Sequence, residues 1–289
     1  MIQSIALIGF GEVGQTLAKD LAKAGVAKIA AWDIKFADPG SVPSRGLAAH
    51  AVRAAASAVD AVQGVELVIS AVTAAQDLEA ARAVSGGLGT GAFFLDLNSC
   101  SPGQKQASAA VIDGAGGRYV EAAVMSPIHP KDIACPMLLG GAHAADFLAA
   151  AEGLGFVGAS AYSEVIGRAA ATKLCRSVMI KGVEALVTES MLAARHYGVE
   201  QVVLDSLYDL LALPDWNATA KYMISRSLEH GTRRAEEMRE AARTVAEAGV
   251  EPLMSDAIAL RQDWAAKRGE ELSPDLLQML DNIRKRLDA

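Results

Sequence analysis

A glycine-rich hexamer near the start of the chain has the spacing of a loop that binds a dinucleotide. Gly9, Gly11 and Gly14 form G-x-G-x-x-G, directly after the apolar run 5–8 and before a helical pattern. In such a loop the first glycine allows a tight turn, the second admits a pyrophosphate to the backbone, and the third lets helix and strand pack closely. Free amides at the helix start attract phosphate. The predicted cofactor loop consists of Gly9, Phe10, Gly11, Glu12, Val13 and Gly14.

An acidic residue follows the second predicted strand at the offset at which dinucleotide-binding domains hold the adenine ribose. Asp33 lies 19 residues after Gly14. A carboxylate there accepts hydrogen bonds from the ribose hydroxyls and repels a 2′-phosphate, which favours NAD. NADP stays possible because Lys35 lies two residues further on. The alternative explanation of Asp33 is a helix cap or a loop acid.

Two more predicted strands end in residues that would face a bound cofactor. Val72 and Thr73 follow one strand, and Asn98 and Ser99 follow the next. Ligands of open α/β sheets bind at the carboxyl ends of the strands. We therefore expect Val72, Thr73 and Asn98 to contact the cofactor and Ser99 to contact substrate. Ordinary turn chemistry, which Asn and Ser favour, is the alternative.

A polar row with the spacing of one helical turn could move a proton. Lys173, Ser177 and Lys181 are four residues apart in a long helical pattern, so they share one helix face. A lysine in a partly buried cleft loses its proton more easily than one in water, because burial disfavours the charged form. It could then act as a general acid/base. On spacing alone, solvated or salt-bridged lysines are the alternative, for example Lys181 with Glu184.

These residues must be positioned by strands and helices that alternate. Short apolar runs bounded by Gly, Asp, Asn or Pro predict strands over 4–9, 28–32, 66–72, 93–97, 119–124 and 137–140. Alternation with helical segments is typical of a doubly wound parallel sheet. The predicted fold class is an α/β Rossmann domain over residues 1–162, followed by an all-α domain over residues 163–289. The helices predicted there span 167–196, 200–211, 217–228, 233–247, 255–268 and 274–287, with breaks at Pro214, Gly231 and Gly269.

Composition excludes several classes of protein. The 289 residues carry a net charge of −7, and neither half has the basic footprint of a nucleic-acid or anionic-membrane binder, although a local basic site for a small anion stays possible. Cys100, Cys135 and Cys175 form no C-x-x-C pair, which argues against a disulfide framework and a metal site and favours a reducing compartment. There is no run of the length that spans a bilayer and no signal-peptide pattern. We therefore expect a cytoplasmic protein with neither a membrane nor a nucleic acid as partner.

The arrangement resembles the β-hydroxyacid dehydrogenases, which include 3-hydroxyisobutyrate, tartronate-semialdehyde and 6-phosphogluconate dehydrogenases. The glycine hexamer is similar to the first signature of that family. Residues 96–102 (D-L-N-S-C-S-P) resemble its D-x-S-T-x-x-P segment, and residues 121–127 (E-A-A-V-M-S-P) resemble its substrate-binding D-A-P-V-S-G-G. Residues 167–177, with Lys173 inside, resemble its G-x-x-x-K-x-x-x-N stretch.

The resemblance implies roles for particular residues. Lys173 would be the general acid/base, and Lys181 would occupy the place of a substrate-phosphate ligand in the phosphogluconate enzymes. The chain departs from the family pattern in having Met-Ser-Pro in place of Ser-Gly-Gly and Ser177 in place of asparagine. Residues 123–127, Lys173 with Arg176, and residues 181–186 resemble a less characterised branch whose C-terminal domain has no assigned function. The implied substrate-binding residues are Ser99, Val124, Met125, Ser126, Ser177 and Lys181.

The expected activity is NAD(P)-dependent hydride transfer between the cofactor and a β-hydroxy acid or related anionic alcohol. The resemblance also implies a homodimer or homotetramer. Two alternatives stay open, an imine reductase and a non-catalytic dinucleotide sensor. The sequence assigns no role to His129, Arg176 or His230.

Overall fold

The computed structural model describes residues 2–207 and 215–287. The chain divides into two compact units, Met1–Lys173 and Leu174–Ala289. The first contains a mostly parallel sheet with helices and the second is helical, so the predicted fold class is confirmed. Within the two described ranges, no helix combines the length and the apolar character needed to cross a membrane.

One sheet of eight strands forms the centre of the first unit. Its strands are β1 (Ser4–Ile8), β2 (Lys28–Trp32), β3 (Arg53–Ala54), β4 (Leu67–Ser70), β5 (Phe93–Asp96), β6 (Arg118–Val124), β7 (Met137–Gly140) and β8 (Ala159–Ser163). Their order in the sheet is β3-β2-β1-β4-β5-β6-β7-β8. All neighbours are parallel except β6 and β7, which are antiparallel. The first six strands follow the order of a dinucleotide-binding sheet, in which the chain reverses its winding between β1 and β4.

Helices cover both faces of this sheet. They are α1 (Glu12–Lys23), α2 (Val42–Gly46), α3 (Ala58–Val62), α4 (Asp77–Ser85), α5 (Pro102–Gly114) and α6 (Ala144–Ala150). Ile5 and Leu7 of β1 pack in one apolar cluster with α1 and α6, whereas Ala6 and Ile8 pack in another with α3, α4 and α5. Alternate residues of a strand face opposite sides. A strand buried on both faces is therefore apolar throughout, as the sequence predicted.

Two glycines allow the turn between β1 and α1 to touch its neighbours. Gly9 has φ +92°, and a Cβ there would lie 2.3 Å from the carbonyl oxygen of Ala71, just beyond β4. A Cβ on Gly14 would lie 2.2 Å from the carbonyl oxygen of Gly9. The turn therefore requires glycine at both positions, for the conformational and packing reasons that the sequence motif implies.

The remaining helices lie mostly in the second unit. They are α7 (Arg168–Tyr197), α8 (Glu200–Ser206), α9 (Trp216–Glu247), α10 (Leu253–Ala266) and α11 (Leu276–Leu287). The predicted helices 217–228 and 233–247 together form α9, whose backbone is non-helical at His230 (φ −122°, ψ 16°), next to the predicted break at Gly231. A Cβ on Gly231 would lie 2.5 Å from the carbonyl oxygen of Gln262 in α10. The end of the predicted helix 200–211 and the break at Pro214 lie outside the described residues.

The first six residues of α7 belong to the first unit, so this unit extends past residue 162, where the sequence places the end of the Rossmann domain. The buried carboxylate of Glu121, in β6, accepts hydrogen bonds from the backbone amides of Gly167 and Ala169 at 2.9 and 3.0 Å. Those amides open α7, where helices leave N–H groups without intrahelical partners. Glu121 therefore fixes the start of α7 against the sheet.

A buried charged network joins the end of β5 to the helices on one face of the sheet. Lys105 Nζ lies 2.7 Å from a carboxylate oxygen of Asp96, and the Tyr119 hydroxyl donates to the other oxygen at 2.5 Å. Burial, opposed by Lys105 and reinforced by Asp77, raises the pKa of Asp96 to about 7. Burial also opposes ionisation of Asp77, but Lys105 and a hydrogen bond from Ser108 hold the pKa of that carboxyl below its usual value. The Lys105 ammonium thus stabilises two carboxylates.

Replacing Lys105 by Met should lower the free energy of unfolding by about 3–5 kcal/mol at pH 8, because the variant leaves buried carboxylates without their cation. The loss should be smaller at pH 6. Removing the Lys105 cation should raise the pKa of Asp96 further above its value in an unfolded chain, so the variant loses stability over a wider range of rising pH than the unaltered protein does. Urea denaturation followed by far-ultraviolet circular dichroism measures the free energy of unfolding at both pH values. A Lys105→Met/Asp96→Asn double variant should regain stability at pH 8, and an equal loss at both pH values would contradict the argument.

Candidate functional site

The first turn of α1 offers space and backbone amides to a pyrophosphate. Gly11 is the N-cap of α1 and has no side chain with which to cap it. A Cβ built on Gly11 would meet no other atom within 4 Å, in contrast to the crowded Gly9 and Gly14. Open space above free helix-start amides is the environment in which helices bind phosphate groups. The local geometry therefore fits the diphosphate of a dinucleotide.

The other residues of the hexamer contribute in different ways. The Phe10 side chain is fully buried and packs edge-on against Phe36 and His50, so only its backbone can reach a ligand. Val13 is half-buried against the core below α1. Glu12 is exposed on the first turn of the helix.

Asp33 connects the end of β2 to the glycine loop. One carboxylate oxygen accepts from the Phe10 amide at 2.8 Å, and the other accepts from the Lys35 amide at 2.9 Å. Asp33 thereby caps the short 3₁₀ helix that follows β2, which was the alternative explanation of this residue. An ionised carboxylate has about four acceptor positions. Capacity for ribose hydroxyls therefore remains, and ribose binding stays a prediction.

Asn98 links the ends of β4 and β5. Its carbonyl oxygen accepts from the Val72 amide at 2.7 Å, and its NH₂ group donates to Ser70 at 2.9 Å and Asp77 at 2.7 Å. These are three of the four hydrogen bonds that a primary amide can make. The side chain is 4% exposed. Asn98 therefore holds Val72 in place, while Thr73 next to it is exposed.

Lys173 lies at the same edge of the sheet as these strand ends. Its Nζ donates to the Ser99 hydroxyl at 2.5 Å, and both side chains are half-buried. Ser99 follows β5 directly after Asn98, and Lys173 reaches it from the part of α7 that Glu121 fixes. The structure thus brings the predicted proton-transfer residue to a predicted substrate residue 74 positions earlier in the chain.

The predicted substrate segment leaves the sheet at the carboxyl end of β6. Val124 is the last residue of that strand. The Met125 amide donates to Pro136 at 2.9 Å, and the Ser126 hydroxyl donates to the Pro127 carbonyl at 2.9 Å. Because β6 is parallel to β5, this segment and Ser99 lie at the same edge of the sheet.

Ser177 and Lys181 belong to the second unit and lie in an ion network there. Lys181 Nζ donates to Glu237 at 2.5 Å and to Ser177 at 3.3 Å, while Arg233 donates to the other Glu237 oxygen at 2.6 Å. Burial lowers the pKa of Lys181, although the Glu237 carboxylate opposes this effect. The alternative pairing of Lys181 with Glu184 is wrong. The substrate roles of Ser177 and Lys181 stay predictions.

Sequence reasoning missed the buried polar residues that support the site. Glu121 was placed in the substrate segment, yet it is fully buried beside the start of α7. Asp77 and Lys105 were not singled out. A charged residue within an apolar strand, such as Glu121, was the available signal, since unpaired buried charge is costly.

One buried group of potential metal ligands lies beneath the site. Asp77, Asp96 and Cys100 place one ligand atom each within 4.8 Å of one another. Lys105 already supplies a positive charge there, 2.7 Å from Asp96. Burial also raises the pKa of the Cys100 thiol, which disfavours the thiolate that a metal requires. The donor set therefore suits the internal ion network better than a cation.

Comparison with known proteins identifies both parts of the chain. Residues 4–167, more than half of the sequence, match the family described as the NAD binding domain of 6-phosphogluconate dehydrogenase. Residues 194–265 match a domain of unknown function, DUF1932. A search of curated proteins finds no match.

Solved structures agree with the family match. A conserved hypothetical protein from Sinorhizobium meliloti is 33% identical with a TM-score of 0.78, over 99% of this chain and 97% of that one. Two others are less than 25% identical and show the fold alone. They are 3-hydroxyisobutyrate dehydrogenase from Mycobacterium tuberculosis (19%, TM-score 0.72, 98% and 100% covered) and an imine reductase from Myxococcus stipitatus (18%, 0.55, 97% and 99%).

The family match spans the glycine loop, Asp33 and the strand ends that carry Asn98 and Ser99. It therefore covers the residues from which the sequence predicted a nicotinamide dinucleotide site. The chain belongs to the family that is defined by the NAD-binding domain of 6-phosphogluconate dehydrogenase.

Proposed function

We propose that the protein transfers a hydride between a nicotinamide dinucleotide and a β-hydroxy acid or a related anionic alcohol. The observation that carries this proposal is the hydrogen bond from Lys173 to Ser99, at the sheet edge where the glycine loop lies. A bound dinucleotide supplies or accepts the hydride at its nicotinamide ring.

In this proposal Lys173 moves the proton that accompanies the hydride. When the alcohol is oxidised, neutral Lys173 Nζ accepts the hydroxyl proton. When the carbonyl compound is reduced, the ammonium returns it. The bond to Ser99 restricts Nζ to one position, and Glu121 restricts the helix that carries it. Restricting a catalytic group in this way lowers the entropy that a productive encounter must lose.

Ser99 would orient the reacting oxygen. Because its oxygen accepts the hydrogen bond from Lys173, its own hydroxyl hydrogen is directed elsewhere and can be donated to a substrate oxygen. Ser126, at the end of the parallel neighbour β6, would contact the same substrate.

The preferred cofactor would be NAD rather than NADP. Asp33 would hold a carboxylate next to the adenine ribose, since it is tied to the glycine loop through the Phe10 amide. A 2′-phosphate there would meet a like charge. The exposed Lys35 could offset part of this repulsion.

The other proposals concern the assembly and its surroundings. The helical unit exposes apolar side chains such as Leu186, Met254 and Leu260 around an open groove of about 470 Å³ between α7 and α10. Burial of such a patch favours the homodimer or homotetramer that the family implies. The free thiols of Cys100, Cys135 and Cys175 agree with a reducing, cytoplasmic location.

Replacing Lys173 by Met should lower kcat for the preferred hydroxy acid by about 100- to 10,000-fold, because the general acid/base is lost. The dissociation constant for NADH should change little. Formation of NADH at its absorbance band, over a panel of hydroxy acids and phosphorylated analogues, measures turnover. The proposal fails if the variant keeps full activity.

The same panel separates the alternatives. Turnover of cyclic imines but not of hydroxy acids would assign the site to an imine reductase. Tight NADH binding without turnover of any compound would assign the site to a dinucleotide sensor. Lys173→Met should then leave NADH binding unchanged.

Two glycine variants should distinguish ligand contact from packing. Gly11→Ala adds a methyl group in open space, so thermal stability should stay close to that of the unaltered protein while the affinity for NADH falls roughly tenfold or more. Gly14→Ala drives a methyl group against the Gly9 carbonyl and should lower the melting temperature by several degrees. Calorimetric titration with NADH and NADPH measures affinity and cofactor preference. Unchanged NADH affinity in Gly11→Ala would show that the pyrophosphate does not bind at this loop.

A pair of variants should show whether Lys181 binds an anionic part of the substrate. Lys181→Met should raise KM with kcat nearly unchanged. Glu237→Gln should lower KM, because it removes the charge that now neutralises the Lys181 ammonium. Steady-state kinetics and melting temperatures of both variants check this. If both variants only lower the melting temperature and leave KM unchanged, the ion pair is structural.

A further inference from the structure

The loop after β6 returns to the first turn of α1. Residues 125–136 connect β6 to β7, and the loop is closed by a hydrogen bond from the Asp132 amide to Ile128 at 2.6 Å. The Ile133 amide donates to the carboxylate of Asp20 in α1 at 3.3 Å. Both contacts lie within the first unit. They hold the middle of the loop beside the helix that opens the dinucleotide site.

His129 lies in this loop between two carboxylates. One ring nitrogen, Nδ1, is 2.7 Å from Asp132. The other, Nε2, is 3.6 Å from the carboxylate of Glu12, the first residue of α1. Asp132 thus orients the ring, and Nε2 faces the glycine hexamer. His129 is about half exposed, at 55%, so a ligand can reach it.

The carboxylate side chains at this end of α1 oppose the attraction of the helix-start amides for an anionic ligand. Side chains in a helix lean toward its N-terminus, so Glu12 lies near the amides that would receive a diphosphate. The charged groups that face the imidazole are Glu12 on α1 and Asp132 in its own loop. Lys131, the next cation along the loop, is exposed. A diphosphate would add negative charge to this pair of carboxylates, and a protonated His129 would offset it.

We propose that His129 is a further dinucleotide-contacting residue, which takes up a proton when the diphosphate of the cofactor binds at the first turn of α1. The protonated ring would donate one N–H to Asp132 and direct the other toward Glu12 and the diphosphate. Charge-assisted hydrogen bonds of this kind are the strong ones in proteins. The inference rests on the dinucleotide site and not on hydroxy-acid turnover.

Proton uptake gives a direct test. A bound diphosphate favours the charged form of the ring, so cofactor binding should cause net proton uptake at pH 7.5. Titration calorimetry with NADH in buffers of different ionisation enthalpy, phosphate and Tris, measures the protons taken up. ADP-ribose, which has the diphosphate but lacks the nicotinamide, should cause the same uptake. Binding should weaken as the pH rises from 6 to 8.5.

Variants separate a contact from a structural role. His129→Asn keeps a hydrogen-bonding side chain but cannot titrate, so uptake should vanish and NADH affinity should fall about tenfold at pH 6 and little at pH 8.5. Glu12→Gln should bind NADH more tightly at pH 8.5, and the number of protons taken up on binding should be smaller. His143→Asn is the matched control. His143 follows β7, which runs antiparallel to β6, so it lies at the opposite edge of the sheet from the glycine loop. The His143→Asn variant should therefore bind NADH and take up protons as the unaltered protein does.

Several outcomes would overturn the inference. One is proton uptake that persists in His129→Asn, and another is binding in the unaltered protein without any uptake. A loss of affinity in His129→Asn that is equal at every pH would assign the residue a structural role instead. Failure to bind NADH or ADP-ribose would overturn this inference and the cofactor site together. Binding with uptake but no turnover would contradict only the proposed function.

Discussion

Contact between the β1–α1 turn and the end of β4 is the constraint on which the rest of the structure depends. Gly9 lies so close to the Ala71 carbonyl, and Gly14 so close to that of Gly9, that no side chain fits at either position. This contact keeps the start of α1 at the carboxyl edge of the sheet and close to its neighbouring strand. Gly11, between them, is left in open space. The same packing that closes the turn therefore leaves its amides accessible to a ligand.

A network of buried polar groups holds the ends of the neighbouring strands in position. Asn98 bonds to the Val72 amide and to Asp77, and Asp77 shares the charge of Lys105 with Asp96. None of these side chains needs to touch a ligand. They are satisfied within the protein, which stabilises a polar network in a low-dielectric interior and gives it one arrangement. Ser99, which is half-buried at this edge directly after Asn98, is held in position by this network.

The sequence predicted the parts of the fold that local patterns encode. The central strands are continuous apolar runs, and the glycines of the hexamer are required by the close packing of the turn that they form. β3 and β8 were missed, because a two-residue edge strand and the half-exposed run Ala159–Ser163 have no apolar pattern. The break predicted at Gly231 corresponds to the kink at His230, and Gly231 also allows α9 to pack closely on α10.

Pairings between distant residues could not be predicted in the same way. The sequence offered Glu184 as a partner for Lys181 because the two are three residues apart on one helix. The structure instead pairs Lys181 with Glu237 on α9 and Glu184 with Arg234. Glu121 likewise read as part of a substrate segment, and only its contact with the start of α7 reveals its role. Periodicity reports which face of an element is buried, whereas the partner on that face depends on the tertiary fold.

The position of Lys173 separates the proposed chemistry from the choice of substrate. Although Lys173 lies in α7, it belongs to the first unit, together with the glycine loop and Ser99. The contacts proposed for proton transfer and cofactor binding thus lie inside one compact unit. Ser177 and Lys181 lie in the other unit, within an ion network of their own. Under the proposed function, substitutions of Ser177 and Lys181 would therefore test substrate binding separately from the contact between Lys173 and Ser99.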